Sequence, residues 1–253
     1  MSPARYDVPV ALTIAGSDAG GGAGIQADLR TFQQLGVFGT SVVTAVTAQN
    51  RAGLVAAQPM SAVLVGQQLD AVATDLLPRA VKTGMLATAE IVAAVAAGLA
   101  RHRLPNYVLD PVLVATSGGR LLEPAGEPLL RARLLPLAEL VTPNLDEAEA
   151  LTGAAVRTPE QMESAARALI AAGAKAALVK GGHLAGATLV DVLVSPRGVR
   201  RFTHPRIAGP SVHGTGCLLS AAIAAGLARQ ADLEAAVAGA VELVQREIAT
   251  ARG

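Results

Sequence analysis

The chain has 253 residues, with 21 Lys and Arg against 20 Asp and Glu for a net charge of +1, and it is 51% hydrophobic, 16% charged and 2% aromatic. So balanced a charge, with few rings to stack on bases, argues against nucleic-acid binding, and no apolar run approaches the roughly 20 residues of a membrane span. The one cysteine, Cys217, can form no internal disulfide, so a soluble, cytoplasmic protein with a single domain over 1–253 is expected.

Short apolar runs predict strands at 10–15, 41–48, 80–83, 107–110, 139–142, 176–180, 188–194 and 199–204. Helical patterns predict helices at 24–35, 61–75, 87–102, 126–135, 145–152, 158–173, 215–229 and 232–250. Most strand runs are apolar throughout, which suits strands buried on both faces of a parallel sheet. Strand-then-helix repetition predicts βαβ units, hence an α/β fold: a three-layer α/β/α domain with a mostly parallel central sheet flanked by helices. "TLVDVLVSPRGVRRFTH" at 188–204 is the exception, two strands across a hairpin turn at "SPRG". The opening segment mixes Arg5 and Asp7 with two prolines before a short apolar run, so no signal peptide is expected.

In open α/β sheets ligands bind beyond the carboxyl ends of the strands. Glycines and polar residues gather at those ends here: "GSDAGGGAG" (16–24), "QN" (49–50), "KTG" (82–84), "DPV" (110–112), "TPNLDE" (142–147), "KGG" (180–182) and "HGTGC" (213–217). Lys82 and Lys180 both close an apolar run, in a chain whose only other lysine is Lys175. A site that prefers a flexible point charge would explain this, and so would chance.

"AGSDAGGGAGIQADL" leads from strand to helix but matches neither the phosphate-binding GxxxxGK[ST] pattern nor GxGxxG. It is either a tight turn or a loop that lets backbone approach a ligand. Asp28, in the helix that follows, either favours the helix dipole or faces a substrate. Asp110 ends a strand, where a carboxylate is costly to bury unpaired. Asn144 and Glu147 have the spacing of a capping box. With Asp110 they also offer the oxygen ligands that Mg²⁺ prefers beside phosphates. "HGTGC" opens a helix, whose first N–H groups are unpaired and favour an anion such as a phosphoryl group. Cys217, in that first turn, is expected to have its thiol pKa lowered by the dipole. The alternative is a buried cysteine under a glycine turn. His213 could point at such a site or be structural. The four histidines have no metal-site spacing.

These segments, with "VTAQN", "VKTGML", "VLDPV", "VTPNLDEAEAL" and "LVKGGH", together resemble the ribokinase-like superfamily. Within it the chain is most similar to the hydroxymethylpyrimidine/phosphomethylpyrimidine kinases of thiamine biosynthesis, over nearly its whole length. The resemblance implies a ribokinase-like fold using ATP and Mg²⁺. It implies phosphorylation of 4-amino-5-hydroxymethyl-2-methylpyrimidine and then of its monophosphate to the diphosphate. Gly214, Thr215, Gly216 and Cys217 would form the anion hole, with Cys217 where sugar kinases of the superfamily keep a catalytic Asp. Lys180, Asn144 and Thr215 would contact ATP; Asp110, Glu147 and Asn144 would hold the metal. Gly16, Ala23, Asp28, Gln49 and Met85 would surround the pyrimidine. A homodimer is implied. Many members carry a further C-terminal tail, whereas this sequence ends "ELVQREIATARG". Two other readings share the scaffold, a pyridoxal or pyridoxine kinase and a ligand-binding protein without activity. The second would be expected to lack a metal or anion-hole residue.

Overall fold

Alternation along the strands sorts the core into two halves. The chain, a computed structural model, is described over residues 7–50, 53–115, 118–182, 184, 186–207, 209 and 214–252. Its strands are β1 (Val10–Asp18), β2 (Phe38–Asn50), β3 (Gly53–Pro59), β4 (Ala80–Thr83), β5 (Tyr107–Leu109), β6 (Leu140–Val141), β7 (Ala177–Val179), β8 (Thr188–Ser195) and β9 (Gly198–Pro205). They form one sheet in the order β3-β2-β1-β4-β5-β6-β7-β8-β9. The strands from β2 to β7 in that order run parallel, while β3 and the β8–β9 hairpin pair antiparallel at the two edges.

The helices are α1 (Gly24–Gln34), α2 (Ala62–Asp75), α3 (Ala89–His102), α4 (Gly126–Leu129), α5 (Leu145–Thr152), α6 (Pro159–Ala171), α7 (Thr215–Ala228) and α8 (Leu233–Arg252). Leu12, Val81, Leu109, Val141 and Val179 face a core closed by α2, α3, α5 and α6. Ala11, Ala80, Val108, Leu140 and Leu178 face a second core under α1, α7 and α8. A period of two residues sends neighbours to opposite faces, so each strand feeds both cores. The expected three-layer α/β/α architecture with a mostly parallel sheet is therefore present.

Local chemistry sets most boundaries. The side chains of Ser61, Thr88 and Thr158 accept the N–H groups of Leu64, Ile91 and Gln161 and start α2, α3 and α6. α7 is apolar on all sides, as a helix packed between a sheet and two helices must be. Gly226 lets α8 approach it: a Cβ there would stand 2.9 Å from the Ala236 Cβ.

Two expectations need correction. β3 is a strand where none was expected; it is an edge strand, mostly exposed, and pairing with β2 rather than an apolar pattern defines it. The helix expected at 126–135 is α4 followed by a π turn at Leu130–Leu134 and a 3₁₀ turn at Leu135–Leu137. Pro128 removes a donor near its start and Pro136 stops it. The hairpin at "SPRG" is present, with Ser195 opposite Gly198. Among the described residues no helix is long and apolar enough to cross a membrane.

Candidate active site

The carboxyl ends of the strands open into one cleft of about 510 Å³. Gly16, Ala23, Gln49, Met85, Asp110, Asn144, Glu147, Lys180, Gly214, Thr215, Gly216 and Cys217 all line it. The residues singled out from segments far apart in sequence are thus brought together, with one exception, Asp28.

The glycine-rich turn is braced from within. Asp18 accepts the N–H groups of Gly20 and Ala23, each at 2.8 Å, and its own N–H donates to Gln26 Oε1 at 2.9 Å. Two glycines then allow close approach. Gly24 has φ +58°, and a Cβ there would lie 2.3 Å from the Gly16 carbonyl oxygen. Gly214, which caps α7 at φ +84°, would put a Cβ 2.0 Å from the Gly22 oxygen. Loop 20–24 and the start of α7 therefore interlock backbone to backbone, and Gly214, Thr215, Gly216 and Cys217 border the cleft at the helix end whose first N–H groups lack intrahelical partners. Gly16 in turn leaves room for Met85, whose Sδ would be 3.0 Å from a Cβ there.

A charged cluster faces that turn. Lys180 Nζ lies 3.0 Å from Asp110 Oδ1 and 3.9 Å from Glu147 Oε2. Asp110 also accepts from Ser220 Oγ on α7 at 3.0 Å and Thr142 Oγ1 at 3.3 Å. Lys180 reaches this place because its N–H donates to the Pro143 oxygen at 2.8 Å, extending the β6–β7 ladder past the last strand residues. The capping box is formed as well: Asn144 Oδ1 accepts from Glu147 N–H, and Glu147 Oε2 from Asn144 N–H, both at 2.8 Å. Both readings of this pair thus coexist, since the cap aims Glu147 into the cleft. Burial pushes the Glu147 carboxyl up to about 7, although Lys180 pulls it down. Burial acts to discharge Lys180, but Asp110 and Glu147 outweigh it and hold the ammonium above its ordinary pKa.

Asp28 is the correction. It is fully buried and does not line the cleft, because both of its oxygens are already taken. Lys82 Nζ donates to Oδ1 at 3.0 Å and Oδ2 at 2.8 Å, and Thr13 Oγ1 donates to Oδ2 at 2.6 Å. Lys82 is the wall residue instead. Sequence noted Lys82 but gave it no role; its partner is 54 residues away, beyond any local spacing rule. A second correction concerns Cys217, which is half-buried on the wall. Burial pushes its thiol above the ordinary value; Lys82 pulls it down, but Asp28 and Asp110 add to the rise. The expected lowering by the helix dipole does not prevail.

Sequence also missed Asp18, Ser220 and a chain at the far end of the cleft. There Asp191 Oδ2 pairs with His204 Nε2 at 3.1 Å, and His204 Nδ1 with Gln245 Nε2 at 2.9 Å. His213 and the histidine of "KGGH", His183, lie outside the described residues. Among the described residues no three His, Cys, Asp or Glu side chains gather as a metal cage. The donor set is two carboxylates converging on a cation.

The chain is similar to known proteins over nearly its whole length. Residues 18–252 match the family model described as phosphomethylpyrimidine kinase. A hydroxymethylpyrimidine/phosphomethylpyrimidine kinase of Rhizobium meliloti is 50% identical over 243 residues, covering 96% of this chain and 91% of the relative. The crystal structure of a phosphomethylpyrimidine kinase from Clostridium difficile has a TM-score of 0.85 at 38% identity, covering 95% of this chain and 99% of that one. A pyridoxal kinase from Staphylococcus aureus in complex with AMP-PCP has a TM-score of 0.87 at 32% identity, covering 95% and 88%. The chain belongs to the phosphomethylpyrimidine kinase family.

Proposed function

We propose that this protein transfers the γ-phosphoryl group of ATP to the hydroxymethyl group of 4-amino-5-hydroxymethyl-2-methylpyrimidine, and then phosphorylates the monophosphate to the diphosphate for thiamine biosynthesis. The observation that carries this reading is the start of α7 facing the Lys180–Asp110–Glu147 cluster across one cleft. The acceptor oxygen attacks phosphorus in line. The N–H groups of Gly214, Thr215, Gly216 and Cys217 take up the charge of the transferring group, each such donor contributing about 10²–10³ in rate. Lys180, together with Asn144 and Thr215, holds the phosphates of ATP; Gly216 lies close enough that a Cβ there would stand 3.4 Å from Lys180 Nζ. Asp110 and Glu147 fit a Mg²⁺ ion that keeps several waters, since two carboxylates and phosphate oxygens suffice for it, with Asn144 behind them. When bound, that ion supplies charge neutralisation between the phosphates.

Gln49 offers a donor and an acceptor to a ring bearing an amine and ring nitrogens. Gly16, Ala23 and Met85 supply the walls, and Asp28 acts through Lys82 rather than on the ring. The raised thiol favours Cys217 as a neutral hydrogen-bonding group rather than a resting base. A single domain, a cytoplasmic location and a homodimer complete the reading.

The test is ADP release with hydroxymethylpyrimidine, its monophosphate, pyridoxal, pyridoxine and ribose. Turnover of both pyrimidines above the others is expected; no turnover of either sinks the proposal. Preferred turnover of pyridoxal would instead support the second reading, which the likeness to the pyridoxal kinase structure favours.

A further inference from the structure

The buried Asp28–Lys82 pair is left unexplained by packing alone. Lys82 lies on the β4 face that looks toward α1 and α7, at a position where its neighbours Ala80 and Val108 feed an apolar core. An apolar side chain would serve that core at lower desolvation cost. Lys82 has no exposed surface, yet it borders the cleft. Asp28 engages Nζ with both oxygens, and Thr13 fixes the carboxylate from behind. Gly84 keeps the space beside the ammonium open: a Cβ there would be 3.0 Å from Lys82 Nζ. The ammonium is therefore held at one point of the floor, on the side where Cys217 starts α7.

We propose that Lys82 is a further catalytic residue, a fixed cation for the negative charge that develops on the acceptor oxygen beside Cys217, with Asp28 and Thr13 as its positioning residues. The proposal rests on the Gly214–Cys217 turn being where the phosphoryl group is transferred. In that step a bond forms between the acceptor oxygen and the γ-phosphorus, and the bond from that phosphorus to the bridging oxygen of ADP breaks. The hydroxyl proton is released with the products, giving phosphorylated acceptor, ADP and one proton. Lys82 keeps its own protons throughout. Asp28 holds the ammonium charged against the cost of burial, so the cation does not lend a proton that it must later recover.

The charged groups around the Cys217 thiol are Lys82 on β4, Asp28 on α1, Asp110 after β5 and Lys180 after β7. That arrangement separates an electrostatic role from a structural one. Lys82→Met is expected to lower kcat by about 100-fold or more, while the KM for hydroxymethylpyrimidine changes by less than about tenfold. The pH midpoint for alkylation of Cys217 by iodoacetamide is expected to rise in Lys82→Met and to fall in Asp28→Asn. A packing defect would move both the same way. Lys82→Met/Asp28→Asn, which leaves no lone buried charge, keeps the test open if Lys82→Met folds poorly, and is expected to show the same loss of kcat. Retention of kcat within twofold in the folded variant, or midpoints that move together, overturns the proposal. Lys180→Met is measured alongside. If it retains turnover, the site of transfer has been misread; if it is crippled while Lys82→Met is not, only the role of Lys82 fails.

Discussion

Two lysines, Lys82 in β4 and Lys180 just after β7, stand with two strands between them in one sheet and border the same cleft, yet their surroundings differ. The Lys82–Asp28 pair is buried, with both side chains at 0% exposure, and among the described residues Asp28 is the one carboxylate in contact with this ammonium. Lys180 is 14% exposed and is shared by Asp110 and Glu147 at 3.0 and 3.9 Å. A buried pair joined through both carboxylate oxygens is fixed, because breaking it strands a charge in low dielectric. A shared ammonium at an open wall can exchange one partner for a phosphate or a metal-bound water at little cost. The first lysine suits a charge that must not move, and the second suits one that must follow its ligand.

The largest expected effect comes from stranding the buried charge. Asp28→Leu leaves Lys82 unpaired and should lower stability by about 3–5 kcal/mol, seen as a drop in denaturation midpoint. Replacing both members, as Lys82→Met/Asp28→Leu, should recover most of that loss. If the single variant is as stable as the wild type, the contrast between the two lysines is wrong. Next comes activity at the open pair. Lys180→Met should lower kcat/KM by about 10²–10³, the scale of one group that stabilises transferred charge, with a smaller stability change than Asp28→Leu. Equal loss of stability in both variants would erase the distinction.

The smallest effect concerns Glu147. Its folded pKa of about 7 lies above the ordinary 4.5, so between these values the native state holds a proton that the unfolded chain has lost. Stability from this residue is therefore full below pH 4.5 and declines as pH rises to about 7. Glu147→Gln should flatten that decline in thermal melts without nucleotide or metal. An unchanged slope would place the proton elsewhere in the Lys180 cluster.

Much of this site was legible in the sequence because its parts are local. The "NLDE" cap depends on a bond between residues three apart, and the α7 start depends on a glycine beside the helix. Both are visible as spacing. Asp28 was misjudged for the opposite reason. Its helical position says that it lies near the strand ends, but only the pairing of β1 with β4 puts Thr13 beside Lys82 and so engages the carboxylate from two strands. Ser220 binds Asp110 across 110 residues, and no pattern reveals that. β3 was missed since an exposed edge strand needs no apolar alternation.

The sequence by itself determined the strands and helices other than β3 and the broken helix after Gly126, the glycine turns, and the set of polar residues at the strand ends. Backbone preference and bonds between near neighbours decide these, and they act before the chain is compact. Tertiary structure decided which of those polar residues face the cleft, and in what charge state. Burial raised the thiol of Cys217 where the helix start alone predicts a lowering. Desolvation and Coulomb interaction depend on every group nearby, and here those groups come from α1, β4 and the strand-end loops, which meet only in the folded protein.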